Sequence, residues 1–98
     1  MAAFAIERTA PGRLEASGVL GFETAADALQ SGLSLIDGDA CTIDLGKVTE
    51  GDSAGLAVLI EWLSAARVRG ARLNYEKVPE QILAIARISD VQDLLANP

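Results

Sequence analysis

The chain has no histidine in its 98 residues. That excludes His-based general base catalysis, the Ser-His-Asp and Cys-His arrangements, and His-ligated metal sites together. A lone cysteine, Cys41, makes neither an internal disulfide nor a thiolate metal cage. Cys41 lies within the apolar stretch Ala40-Cys41-Thr42-Ile43 with no Lys or Arg beside it, so a buried core thiol is expected. Aromatic residues are only 4% of the chain although hydrophobic residues are 50%, so the core is expected to be aliphatic and Ala-rich. An enzyme is not expected, and no cofactor is called for.

Basic residues are also few. Eight Lys and Arg face fourteen Asp and Glu, a net charge of −6. Such a chain is repelled by phosphate backbones and anionic headgroups, so neither nucleic acid nor a membrane surface is the expected partner. Long apolar runs are missing too: Leu56 to Ile60 is broken by Glu61, far short of the roughly 20 residues that span a bilayer. Met1 to Arg8 has no basic segment and meets charge too early for a signal peptide. A cytoplasmic protein without membrane insertion is expected, forming a single domain over 1–98.

What is present has a clear order. Residues 4–9 alternate Phe4, Ile6 and Arg8 against Ala5, Glu7 and Thr9, as a strand does. Pro11-Gly12 marks a turn, and residues 13–20 alternate again, so the pair reads as an antiparallel hairpin. The period then changes. Thr24 is a candidate N-cap before Ala25, Ala28, Leu29, Leu33 and Ile36, which recur at helical spacing, with Gly32 as a weak point. Asp37-Gly38 stops that helix, and residues 40–45 read as a buried strand.

The strongest helix runs over 56–69. Leu56, Leu59, Ile60 and Leu63 form its apolar stripe, Arg67 and Arg69 suit its C-terminal dipole, and Gly70 stops it. A strand over 71–75 follows, then a helix from Pro79 carrying Ile82, Ile85 and Ala86. A last turn over 91–95 is expected to tuck Leu94 and Leu95 against the body. The order is β-β-α-β-α-β-α. It predicts an α/β fold, a single mixed β-sheet of about four strands with helices packed on it, the last two strands being parallel.

Chemistry concentrates between Asp44 and Leu56, where a parallel strand hands over to the longest helix. Ligands and partners of open α/β sheets gather at such places. Asp52 or Ser53 can cap the first helical turn, and Gly55 permits close backbone approach. A capped helix start and a binding site both fit these residues. A P-loop does not, because Gly-Lys-Ser and Gly-Lys-Thr are absent. Trp62, beside Leu59 and Leu63, is read as partly buried packing or as an interface anchor. Asp37 and Asp39 suit solvated helix termination better than acid–base work.

Asp44-Leu45, then Val48, then Asp52-Ser53-Ala54-Gly55-Leu56 heading an aliphatic helix, resembles the STAS domain family. The resemblance covers nearly the whole chain. Leu14 to Leu20 looks like the family's second strand, Thr24-Ala25 its first helix, Gly70 to Leu73 its last strand and Val78-Pro79 its third helix. The family includes anti-sigma factor antagonists and the small STAS subunit of the Mla-type phospholipid ABC transporter. In the phosphorylated antagonists the second hydroxyl of Asp-Ser-Ser-Gly or Asp-Thr-Ser-Gly takes the phosphate, and that position is Ala54. The form Asp-Ser-Ala-Gly-Leu, followed by Leu-Ala-Val-Leu-Ile-Glu-Trp-Leu over 56–63, is similar to the lipid-transport subunit.

That resemblance implies a non-catalytic module that binds and regulates the cytoplasmic ATPase subunit of a transporter maintaining outer-membrane lipid asymmetry. It places the protein at the inner face of the inner membrane through the complex. The implied contact residues are Asp52, Ser53, Ala54, Gly55, Leu56 and Thr24. The alternative implication is a signalling antagonist that captures an anti-sigma kinase without the usual phospho-acceptor.

Overall fold

The computed structural model describes residues 3–95. β1 (Ala5–Ala10) and β2 (Arg13–Leu20) form the expected antiparallel hairpin, with Gly12 at φ +72° in the turn. α1 (Ala25–Leu35), β3 (Ala40–Gly51), α2 (Ser53–Val68), β4 (Arg72–Glu76), α3 (Glu80–Ile88) and α4 (Gln92–Leu95) follow. The sheet order is β1-β2-β3-β4, with β2, β3 and β4 mutually parallel. The mixed four-stranded α/β architecture is therefore as the sequence predicts.

Alternation sorts the sheet into two faces. Leu14, Ala16 and Leu20 of β2, Cys41, Ile43 and Leu45 of β3, and Leu73 and Tyr75 of β4 are buried under the helices. Residues between them point to the other face, where Arg13 pairs with Glu76 at 2.6 Å and Asp44 at 3.5 Å, and Lys47 with Glu15 at 3.3 Å. The domain thus has two layers, helices on one side and an ion-paired polar surface on the other.

β3 is longer than expected, twelve residues rather than the six over 40–45. Its register against β2 shifts twice, between Asp44 and Lys47 and between Val48 and Glu50, each time advancing one extra residue on β3. These bulges move burial from Leu45 to Val48, which breaks the period-2 signal by which a strand is read. β4 pairs only as far as Asp44, so the extension runs beside β2 alone. α2 begins earlier than residue 56 because Asp52, not a later residue, caps it.

The buried face of α2 is also rotated from the expected stripe. Gly55, Leu56, Val58, Leu59, Trp62 and Ala66 are buried, while Ile60 and Leu63 lie half-buried on its flank. Trp62 is fully buried, its Nε1 donating to the Leu29 carbonyl at 3.2 Å. Gly32 makes this possible, since a Cβ there would overlap the indole. The helical weak point in α1 is a socket for the tryptophan. The C-terminus of α1 has no basic residue of its own, and arginines from elsewhere cap it: Arg8 donates to Leu35 O, and Arg69 to Leu33 O and Ile36 O. At α4, Leu95 is buried as expected but Leu94 is 45% exposed, because a four-residue helix buries only one side. Among the described residues no helix is long and apolar enough to cross a membrane.

Candidate functional site

Two loops meet at the C-terminal ends of β2 and β3, and Asp52 joins them. Its Oδ1 accepts from the N–H groups of Ala54 at 2.9 Å and Gly55 at 3.1 Å, satisfying free donors of the first α2 turn. Its Oδ2 accepts from the Phe22 N–H at 3.1 Å, thirty residues away in the β2–α1 turn. Gly21 lies beneath this carboxylate, and a Cβ there would come within 2.8 Å of Oδ2. Burial raises the Asp52 pKa, and the N–H groups of Phe22, Gly55 and Ala54 more than offset it, holding the carboxyl below its ordinary range.

Thr24 occupies the N-cap position of α1 but makes no side-chain cap. Its backbone is already helical, and its Oγ1 turns back to donate to Val19 O at 2.8 Å and accept from Gly21 N–H at 3.0 Å. The expected cap is thus a latch on the turn. Thr24 is half-buried, so what it offers a partner is the shape of the turn.

The six sequence-predicted residues divide by exposure. Asp52 and Ser53 are exposed, and Ala54 is half-buried. Gly55 and Leu56 are buried, which moves them from the expected contact surface to its floor. A Cβ at Gly55 would overlap the Leu20 carbonyl oxygen, so the close approach Gly55 permits is that of α2 to β2 of the same chain. Ser53 is the first residue of α2, with Asp52 already serving as its cap, so the Ser53 hydroxyl is left on the surface.

Phe22 belongs to this surface and sequence reasoning missed it. It is 84% exposed and directly tied to Asp52. The available signal was an apolar ring between Gly21 and Glu23, in a turn where helical and strand periods both lapse.

Other candidate features resolve into structure. Cys41 is buried, and burial pushes its thiol pKa up. Asp37 is an exposed partner of Arg8 at 3.4 Å, in keeping with a solvated turn. The Tyr75 hydroxyl donates to Leu59 O at 2.6 Å, and burial drives its pKa well up. A shallow groove of about 770 Å³, bordered by Ile60, Leu63, Arg67, Arg72 and Leu94, lies along the C-terminal half of α2, away from Asp52.

Comparison with known proteins bears on the chain as a whole. The family model described as "Mlab, STAS domain" matches residues 5–96. The chain belongs to the STAS domain family. Among solved structures, this STAS domain is similar to a sulfate transporter family protein from Wolinella succinogenes, at TM-score 0.64 and 21% identity. The match covers 86% of this chain and 70% of that one, and at this identity the likeness is one of fold. No curated protein matches.

Proposed function

We propose that this STAS domain is a non-catalytic subunit that binds and regulates the cytoplasmic ATPase of a bacterial phospholipid ABC transporter of the Mla type. The observation that carries the reading is the head of α2. Ser53 lies exposed on a helical turn that Asp52 already caps, and the next position is Ala54, whose methyl group has no oxygen to take a phosphate. A surface that cannot be switched at that position acts by contact. The match to the Mlab family model over residues 5–96 supports the same reading.

The mechanism is docking. The exposed residues Asp52 and Ser53, with Ala54 beside them and the β2–α1 turn alongside, form one small face at the end of the sheet. Bound there, the domain stabilises the ATPase in its active assembly and is held at the inner face of the inner membrane by the complex. ATP, magnesium and lipid belong to the partners. The non-catalytic reading fits a chain with no histidine, whose thiol and tyrosine are both buried with raised pKa values.

Co-purification of the tagged protein from its native host tests the reading. An ABC ATPase is expected to accompany it. An anti-sigma kinase in its place would reassign the domain to signalling.

A further inference from the structure

Phe22 is 84% exposed, while Trp62 is fully buried and Tyr75 is 8% exposed. The turn that carries Phe22 is not loose. Its N–H is held by Asp52 Oδ2 at 3.1 Å, and Thr24 Oγ1 bridges Val19 O at 2.8 Å and Gly21 N–H at 3.0 Å. A ring 84% exposed on a restrained turn contributes little burial to the fold. Aromatics carried on restrained turns are well suited to anchor protein interfaces, because little loop entropy remains to be lost on binding.

Charge along the chain on either side of this turn has one sign. No Lys or Arg occurs between Arg13 and Lys47, nor between Lys47 and Arg67. Glu23 and Asp27 follow Phe22 closely in the chain and are exposed, as are Glu50 and Asp52 in the neighbouring loop. Glu50 and Asp52 border one small cleft with Gly21, which places them at the turn itself.

We propose that Phe22 is the aromatic anchor of the docking face, and that its partner site is an apolar socket ringed by Lys or Arg. The inference rests on the ATPase-subunit reading and adds the chemistry of the partner's surface. Asp52 acts as a positioning residue, since it fixes Phe22 relative to Ser53. The acidic rim steers the encounter and disfavours partners whose socket is acidic.

The test titrates the purified ATPase subunit encoded in the same genome with wild type, Phe22→Ala, Phe22→Leu and Ser53→Glu, at low and high salt. Phe22→Ala is expected to raise Kd about thirtyfold or more with an unchanged melting temperature. Phe22→Leu restores part of the affinity, and wild-type binding weakens as salt rises. Phe22→Ala binding like wild type, while Ser53→Glu does not bind, overturns the anchor and leaves the ATPase reading standing. Wild-type affinity indifferent to salt overturns the basic ring. Absence of any wild-type binding overturns the ATPase reading and the anchor with it.

Discussion

Gly32 lies buried in the middle of α1, and a Cβ there would overlap the indole of Trp62. Read along the chain, Gly32 only weakens a helix, and Trp62 only flanks a stripe. Neither residue marks the other, thirty positions away, so the core position of the tryptophan was half legible. A prediction separates the two roles of Gly32. By propensity alone Gly32→Ala would stabilise α1 by about 1 kcal/mol. Overpacking against a fully buried ring costs about 1–3 kcal/mol and breaks the Trp62 bond to Leu29 O. The net expectation is a melting temperature about 4–8 °C lower, with a shifted tryptophan emission. A more stable variant would show that the packing of α1 on Trp62 is looser than described.

At the scale of elements, α2 shows how periodicity finds a helix and misjudges its face. Leu56, Leu59, Ile60 and Leu63 share a stripe in sequence, but the bulk of Trp62 turns the helix so that Leu59 is fully buried and Leu63 half-buried. Leu59→Ala is expected to cost about 2–5 kcal/mol in chemical denaturation, and Leu63→Ala roughly half as much. Equal losses would restore the simple stripe. β3 was only half legible for a related reason: its two register shifts carry the buried positions from Ile43 and Leu45 to Val48, so residues 46–51 read as a loop.

The start of α2 was more legible, because Asp52-Ser53-Ala54-Gly55-Leu56 is a local signal, whereas the bond from Phe22 N–H to Asp52 is not. That bond gives a pH test. The folded-state pKa of Asp52 is lowered. Its ionised form therefore contributes stability fully above the ordinary carboxylate pKa of about 4, and loses it as pH falls through the lower folded value. Asp52→Asn keeps one capping oxygen but turns an amide toward Phe22 N–H. The variant is expected to be less stable by about 1 kcal/mol at pH 7, with the gap closing below about pH 4. A gap that persists at pH 2.5 would show that the ionised carboxylate is not what holds the two loops.

For the whole molecule, the division of surfaces follows from the fold. One face of the sheet is covered by helices, the other is occupied by ion pairs, and the apolar ring of Phe22 stands at the end where α1 and α2 begin. With a net charge of −6, that end suits a basic protein partner better than a phosphate-bearing one. The head of α2 is proposed to dock on a transporter ATPase. The most direct measurement is the Kd of Ser53→Glu for that ATPase beside its melting curve. Ser53 is exposed at the first helical position, where the dipole tolerates negative charge, so the fold should hold within about 2 °C. In an interface the same charge is desolvated without a partner, and affinity should fall at least thirtyfold. Undiminished affinity of the folded variant would contradict the claim.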